Sequence, residues 1–521
     1  MNPRPPAASA EARRPPGWPV LRLARAGPAP QLADTAPGWC QALSRAAGHR
    51  PRDWWAIDER AALVAFVQTL PGQVLLVALF LALARAGALS LTAVLAAAAC
   101  AWLPAWRSWV MLLATAAVLL RQPDWFGLDG LRAVLAQEGL GRLDAVQVVL
   151  PALVLYAVLV VGVLALARRH RRSLPVRRPV LCLLALEAAL GALACAPWLH
   201  GAARVACWAV LVVYSAYLWF LAHALIDQRS RAPAPWPLQL ATFHPFWGST
   251  CTPYGKGAAF VRKHLADSPA ELAVTQLKGL KLLAWATVLG LVDRALADLV
   301  LGRWQVPATA QLYADFLQGR PHAVHLGWAG LAWATAHRLV ELAIFGHQII
   351  AVARLAGLRL PRNTWRPLQA LTLAEFWNRN YYYFKELLVE FFFMPTFLRV
   401  LRGHPRLRAF VATFMAAGVG NAVYHFVRDI GALATLGLQA TAQGYTSYLF
   451  YCAVLASGIG LSQARSNAGR VPPATWAGCL WSGLCVWFFV VCLQVFGDES
   501  RVMTLGERLR FMASLFGLPP G

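Results

Sequence analysis

Long apolar runs separated by short basic segments dominate this chain. A helix needs roughly twenty mostly apolar residues to cross a bilayer, and about eleven windows meet this requirement. The windows lie near residues 60–85, 88–105, 108–121, 145–167, 179–197, 203–226, 280–301, 323–352, 407–426, 431–462 and 474–496. The pattern predicts an all-α polytopic integral membrane protein with interfacial or re-entrant helices besides its spans.

Basic residues between the windows predict the orientation of the chain, because positive charge resists translocation. Six arginines separate the fourth window from the fifth: Arg168, Arg169, Arg171, Arg172, Arg177 and Arg178. With this loop in the cytoplasm, alternation of the spans also places the basic segments 227–279 and 353–380 there. The same count gives a multi-pass protein with a cytoplasmic N-terminus.

Composition agrees with a membrane environment. Of the 521 residues, 58% are hydrophobic and 14% are charged, which leaves too few charges to cover several soluble domains. The net charge is +24, but the basic residues that give it lie mostly between apolar runs and not on a soluble amphipathic face. We therefore expect no nucleic-acid partner. The cysteines form no C-x-x-C pair, and His325, His337 and His347 lack metal-site spacing, so we expect no metal.

Three regions are predicted. Residues 1–55 are rich in Pro and Arg and lack the apolar core of a signal peptide, so we expect a disordered basic cytoplasmic tail. Residues 56–230 hold the N-terminal transmembrane helices, and residues 231–521 hold a second membrane region with the chemical motifs.

Residues 353–381 read ARLAGLRLPRNTWRPLQALTLAEFWNRNY. This order resembles the cytoplasmic-side signature of the membrane-bound O-acyltransferases (MBOAT), in their alginate O-acetyltransferase-like branch. The matching positions are Ala353, Arg354, Leu355, Gly357, Leu360, Pro361, Asn363, Arg366, Pro367, Glu375, Phe376, Trp377, Arg379 and, downstream, Pro395. The family's second landmark, a histidine after an aromatic residue in an apolar helix that follows a glycine, is similar to Gly418 through Tyr424 and His425. Residues 276–281 resemble the segment that enters an earlier membrane span in the same family.

One position departs from the family pattern. The alginate-type enzymes have a histidine directly after F-W-x-R-W, whereas this chain has Tyr381 there and Asn380 in place of the tryptophan. Other branches use asparagine in this neighbourhood. The sequence leaves open whether Asn380 or Tyr381 is the second site residue.

The chemistry of acyl transfer suggests a role for each candidate. His425 lies in an apolar run without another charged side chain, and imidazole is suited to remove the acceptor's hydroxyl proton as a general base. Asn380 or Tyr381 could donate a hydrogen bond to the developing oxyanion. No G-x-S-x-G motif is present, which favours direct transfer over an acyl-enzyme. The arginines of the motif serve either topology or the phosphates of a CoA donor, for which the candidate residues are Arg354, Arg362, Arg366, Arg379 and Trp377.

Two further patterns concern the surroundings of the motif. Residues 376–393 read as one aromatic helix at the interface, with a stripe formed by Trp377, Tyr381, Phe384, Leu388 and Phe391. The turn-rich segment 244–257 is aromatic, which is typical of a lid or a substrate-facing loop.

The resemblance therefore implies a membrane-bound O-acyltransferase of the inner (plasma) membrane. It would move an acyl group, in the first place acetyl, from a cytoplasmic thioester to a hydroxyl of a sugar, polysaccharide or lipid. Acyl-CoA is expected as a co-substrate with no bound cofactor, membrane lipid as surroundings, and a periplasmic protein as a further partner. Two alternatives stay open: a transporter or flippase that uses the buried polar groups as a path, and a catalytically inactive scaffold of the same fold.

Overall fold

The computed structural model describes residues 55–87, 89–121, 127–248, 251–467, 475–497 and 503–518. Almost all of the predicted basic tail, 1–55, lies outside the described residues. Residues Trp55–Gly521 form one compact unit. Helices build this unit, and no strand occurs within the described ranges.

The first part of the unit contains α1 (Ala61–Val67), α2 (Leu70–Ala86), α3 (Leu91–Trp102), α4 (Arg107–Arg121), α5 (Asp129–Gln137), α6 (Ala145–Arg169), α7 (Leu174–Arg177), α8 (Pro179–Ala194), α9 (Gly201–Asp227), α10 (Trp236–Ala241) and α11 (Ala258–Lys263). The second part contains α12 (Pro269–Ala297), α13 (Thr309–Leu317), α14 (Val324–Leu355), α15 (Leu373–Asn380), α16 (Tyr382–Leu388), α17 (Met394–Arg399), α18 (Pro405–Phe414), α19 (Asn421–Arg428), α20 (Ala432–Asn467), α21 (Trp476–Gln494) and α22 (Leu505–Ser514). Three π-helical segments, Asp298–Arg303, Val389–Phe393 and Met415–Gly420, adjoin these helices.

Five stretches of the described chain are long and apolar enough to cross a membrane. They are α6, α9, the continuous run Pro405–Arg428, most of α20, and α21. Two bent pairs also qualify when each is counted as one span: α1 with α2, bent by 92°, and α3 with Pro104–Leu119, bent by 111°. The structure thus has five to seven candidate spans in its described part. The predicted windows 88–105 and 108–121 fall together in the second bent pair.

Burial divides these helices into central and peripheral ones. In α9, 83% of the apolar stretch is buried, against 22% in α6 and 17% in α21. The outer helices expose large apolar side chains, such as Val154 and Val158 at 64% and Trp481 at 70%. Such surfaces are unfavourable in water but suit contact with lipid tails. Composition and exposure together indicate a membrane protein.

The predicted basic loops lie against each other. Arg168, at the end of α6, donates from Nε to Gln228 Oε1 at 2.9 Å and from Nη2 to the Ala234 carbonyl at 2.9 Å. At the opposite ends of the two helices, Glu138 before α6 accepts from the backbone N–H of Gly201, the first residue of α9, at 2.6 Å. Helices α6 and α9 are therefore parallel, and α8 returns the chain between them.

Two segments of the motif region meet where α12 crosses α14. A Cβ on Gly279 would lie 3.0 Å from the Ala351 carbonyl oxygen, closer than ordinary van der Waals contact, so glycine favours this close approach. Nearby, the Gln276 side chain donates to the Leu355 carbonyl at 3.1 Å. Residues 276–281 thus pack against the start of the 353–381 segment.

Candidate functional site

The aromatic segment after the F-W-N-R motif is broken at Tyr381. Helix α15 ends at Asn380, Tyr381 has φ −142° and ψ 85°, and α16 begins at Tyr382. The prediction of one continuous helix over 376–393 is therefore wrong.

The preceding loop stabilises this break. The N–H of Tyr382 donates to the Asn363 carbonyl at 2.8 Å, and the N–H of Trp365 donates to the Arg379 carbonyl at 2.8 Å. The Thr364 hydroxyl donates to the Asn380 carbonyl at 2.7 Å. These bonds satisfy backbone groups that a continuous helix would have paired internally, so tertiary contacts replace the local ones.

His425 lies in a shell of aromatic rings. Helix α19, which carries it, directly follows the π-helical segment Met415–Gly420, a geometry often found at functional sites. Its ring centroid is 4.7 Å from that of Tyr448, 5.2 Å from Tyr424 and 5.9 Å from Phe384. Its Nδ1 atom is buried and has no hydrogen-bond partner among the described residues. The imidazole is held in place by rings, and this nitrogen is left unpaired.

Phe384 connects the two landmarks of the sequence. Its ring lies 5.6 Å from Tyr381, 4.6 Å from Tyr424 and 5.9 Å from His425, measured between centroids. The break in the aromatic segment and the buried histidine are therefore neighbours in space, although they are far apart in the chain.

A line of hydroxyl groups runs beside these rings. Asn363 Nδ2 lies 3.3 Å from the Tyr254 hydroxyl, which lies 3.1 Å from the Tyr381 hydroxyl. Tyr381 is in turn 3.4 Å from the Thr252 hydroxyl, which lies 2.5 Å from that of Tyr424. Burial raises the pKa of Tyr254 and of Tyr381, so both keep their protons at neutral pH.

Sequence reasoning missed this line of hydroxyls. It placed Thr252 and Tyr254 in a lid or substrate-facing loop, but the structure buries both residues beside the predicted site. Asn363 was matched as part of a motif without a role. The signal that could have linked them is the recurrence of uncharged polar side chains in segments otherwise predicted to be apolar.

Asn380 occupies the last position of α15. Its backbone carbonyl accepts from Thr364, while its side-chain Oδ1 is buried with no hydrogen-bond partner among the described residues. A buried acceptor oxygen without a partner is costly unless a donor binds it, so Asn380 stays a candidate for substrate contact.

An ion cluster holds the Thr252–Lys256 loop against α16. Lys256 Nζ is 2.9 Å from Glu386 Oε2 and 3.7 Å from Glu390 Oε2, and Lys385 Nζ is 3.5 Å from Glu386 Oε1. Burial alone would raise the pKa of Glu386, but the two ammonium groups outweigh it and hold the pKa below its usual value. The cluster anchors the loop that supplies Thr252 and Tyr254.

The predicted donor-binding residues differ in their surroundings. Arg354 donates from Nε and Nη2 to the Leu360 carbonyl, at 3.2 and 2.8 Å, and Arg379 pairs with Glu375. Arg362 and Arg366 are exposed. The remaining candidate, Trp377, packs 6.1 Å from Phe384, measured between ring centroids. Arg354 and Arg379 therefore bind groups within the protein, whereas Arg362 and Arg366 are exposed.

The all-helical fold of the described residues and its five to seven candidate spans indicate a membrane protein. No protein-family model matches the chain, and no curated protein is similar to it in sequence.

Proposed function

We propose that this protein is a membrane-bound O-acyltransferase of the MBOAT type, with about eleven spans and a cytoplasmic N-terminus in the inner membrane. It moves an acyl group, in the first place acetyl, from a CoA thioester to a hydroxyl of a sugar, polysaccharide or lipid. The observation that supports the proposal is the unpaired Nδ1 atom of His425, buried beside the Phe384 ring, which also contacts Tyr381 at the helix break.

The reaction needs one base and one oxyanion donor. The acceptor's hydroxyl oxygen attacks the thioester carbonyl carbon, forming a C–O bond while His425 takes the hydroxyl proton. A donor stabilises the negative carbonyl oxygen of the tetrahedral intermediate. The C–S bond then breaks, and His425 returns the proton to the departing sulfur. The products are an ester and the free thiol of CoA, with no net proton change.

The two exposed arginines of the motif fit the donor's phosphates. Arg362 and Arg366 lie in the loop before α15, which is predicted to be cytoplasmic, where CoA is available. Guanidinium groups bind phosphate oxygens with paired hydrogen bonds. Arg354 and Arg379 contribute indirectly, because their contacts to Leu360 and Glu375 shape this loop and helix α15.

The test is transfer of label. Purified protein is incubated with radiolabelled acetyl-CoA and with membrane and periplasmic extracts of the host, and each fraction is then measured for label. We expect incorporation into one fraction that depends on His425 and is unchanged in His170→Gln, a substitution in the predicted basic loop outside the site. Absence of transferred label with every fraction would contradict the proposal.

The same experiment separates the two alternatives. A transporter or flippase would move its substrate across vesicles without labelling it. An inactive scaffold would bind acetyl-CoA, detectable as protection from thermal unfolding, but would leave the label on CoA.

A further inference from the structure

The line of hydroxyl groups beside His425 has a defined direction, which its first member sets. The Asn363 side chain accepts at Oδ1 from the backbone N–H of Tyr383, at 3.3 Å. Because a backbone N–H can only donate, the amide oxygen must face Tyr383 and the NH₂ group must face Tyr254. Asn363 is 2% exposed, so no solvent competes for this orientation.

The direction then passes from one hydroxyl to the next. Each hydroxyl has a single proton, and one that accepts from its neighbour on one side is free to donate on the other. Tyr254 accepts from Asn363 and donates to Tyr381, and Tyr381 donates to Thr252. The Thr252 hydroxyl has no other acceptor among the described residues, so we assign its proton to the contact with Tyr424, at 2.5 Å.

Tyr424 is the end of this line. Its oxygen accepts from Thr252, so its own proton points to a group outside the line. No other hydrogen bond of Tyr424 occurs within the described part of the chain. The residue is 5% exposed, precedes His425 directly, and its ring lies 4.6 Å from Phe384 and 6.0 Å from Trp219. A buried hydroxyl with an uncommitted proton, on the residue next to an unpaired imidazole nitrogen, points to a bound ligand as its acceptor.

We propose that the Tyr424 hydroxyl donates a hydrogen bond to the carbonyl oxygen of the acyl group, and that the line from Asn363 to Thr252 holds it in the donating orientation. This inference rests on the proposed function. It assigns the oxyanion donor to Tyr424 and not to Tyr381, since the proton of Tyr381 is committed to Thr252. Tyr424 is then a catalytic residue, and Asn363 is a positioning residue.

The direct test is Tyr424→Phe, which removes the hydroxyl and keeps the ring packed against Phe384 and Trp219. We expect kcat for transfer from radiolabelled acetyl-CoA to fall about a hundredfold, the effect of losing one oxyanion donor, with little change in KM. The matched control is Tyr214→Phe. Tyr214 is also buried, at 4% exposure, but its hydroxyl donates to the Leu183 carbonyl in α8, so the control should leave kcat unchanged.

The second test reverses the line from its far end. In Asn363→Asp an ionised carboxylate still accepts from Tyr383 but can no longer donate to Tyr254. Tyr254 then donates to the new carboxylate, each later hydroxyl turns, and Tyr424 donates to Thr252 and not to the ligand. When the acid is protonated it can donate again. We therefore expect the ratio of variant to wild-type kcat to be low at pH 8 and to rise as the pH falls toward 5.

The change with pH in the ratio of variant to wild-type kcat reports on position 363 alone, because the variant keeps the titratable groups around this position. They are Tyr254 from the loop, Tyr383 from α16, His347 and Arg354 from α14, and Arg362 from the same segment. Burial raises the pKa of both tyrosines, and the arginines stay charged throughout this range. A merely structural loss would lower kcat by the same factor at every pH.

The outcomes separate this inference from the proposed function. Wild-type protein that transfers no label overturns both. If wild-type protein transfers label and Tyr424→Phe retains this transfer within a few-fold, this inference alone is overturned. A kcat ratio for Asn363→Asp that does not rise at low pH also overturns it.

A variant that fails to fold is recognised by its lost thermal transition, and Tyr424→Trp and Asn363→Gln are then compared in its place. Tyr424→Trp keeps an N–H donor and should retain more activity than any variant without a donor at this position, whereas an equal loss would contradict the inference. Asn363→Gln preserves the donating amide and should not show the pH-dependent ratio.

Discussion

At the scale of single residues, His425 carries the chemistry of the proposal. A histidine in an apolar helix is unfavourable unless its nitrogens find partners, and Nδ1 of His425 finds none among the described residues. The rings of Tyr448, Tyr424 and Phe384 hold the imidazole without consuming this nitrogen. Such an arrangement keeps the nitrogen available to accept a proton.

Replacement of His425 by glutamine tests this role. Glutamine keeps hydrogen-bonding capacity and similar bulk but cannot accept a proton near neutral pH. We expect transfer to fall by a factor of about a hundred to ten thousand, measured as labelled product at equal membrane abundance. Retention of more than about a tenth of the wild-type rate would remove the general-base assignment.

A comparison of Asn380→Ala with Tyr381→Phe addresses the question that the sequence leaves open. The Oδ1 of Asn380 has no described partner, whereas the Tyr381 hydroxyl already joins Tyr254 to Thr252. If the Nδ2 group of Asn380 donates to the carbonyl oxygen of the acyl group, Asn380→Ala should slow turnover about a hundredfold. Tyr381→Phe should have a smaller effect, because Thr252 can then either donate to Tyr424 or accept from it, and Tyr424 keeps its donating orientation part of the time. Equal rates for wild type and both variants would exclude this helix break from the mechanism.

The sequence singles out the candidate residues but not the contacts among them. The isolation of His425 in an apolar run is readable along the chain, and so is the order of the 353–381 motif. The contacts among Asn363, Tyr254, Thr252 and Tyr424 join segments far apart in the chain, and no local spacing encodes them. A motif match locates Asn363 but does not reveal that its amide orients a neighbouring hydroxyl.

At the scale of helices and loops, the break at Tyr381 shows tertiary contacts overriding periodicity. Spacings of four, three, four and three from Trp377 to Phe391 satisfy an amphipathic helix, which is why one helix was predicted. The loop at Asn363–Trp365 instead supplies donors and acceptors to the backbone at the break. The helix therefore ends where another segment offers equivalent hydrogen bonds, and residues inside the helix do not signal this.

The ion cluster at Glu386 should make the stability of this region depend on pH. The pKa of Glu386 is lower in the folded protein than its usual value of 4.5, so the carboxylate contributes stability above pH 4.5 that is lost as the pH falls through the lower folded value. Glu386→Gln should cost about 1.5–3 kcal/mol at neutral pH, the range for hydrogen bonds to charged groups. The difference from wild type should disappear in acid.

Thermal unfolding of the detergent-solubilised protein between pH 7 and pH 3 measures this difference. The control is Asp129→Asn, which breaks the exposed pair between Asp129 and Arg132, 2.9 Å apart, and should change the midpoint little. Equal midpoints for Glu386→Gln and wild type at pH 7 would show that the loop does not depend on this cluster.

At the scale of the whole molecule, the side of the membrane on which each basic segment lies follows from the number of crossings. The contacts of Arg168 with Gln228 and Ala234 show that the loops after α6 and α9 share one end of the helix bundle. The sequence predicted both loops to be cytoplasmic from charge alone. It could not predict that two of its apolar windows join in a pair bent by 111°, because a bend depends on packing and not on apolar length.

This bent pair makes the orientation of the N-terminal tail testable. If each bent pair crosses once, three crossings separate the tail from the loop at 168–178, and the two lie on opposite sides. If both halves of the second pair cross, as their separate windows predict, there are four crossings, and both lie in the cytoplasm. Cysteine substituted at Ser173 and, in a second variant, at Ser9 distinguishes these topologies through labelling by a membrane-impermeant thiol reagent. The unsubstituted protein sets the background, because its own cysteines also react.

We expect both substituted positions to be labelled only after the inner membrane is made permeable, because arginines flank each of them and positive charge resists translocation. Labelling of Ser9→Cys in intact spheroplasts, with Ser173→Cys still protected, would mean an odd number of crossings and would place the tail outside. Labelling of Ser173→Cys in intact spheroplasts would reverse the orientation of the whole protein. It would also place the loop before α15, which carries Arg362 and Arg366, on the face without CoA, so this one measurement bears on the proposed donor site as well.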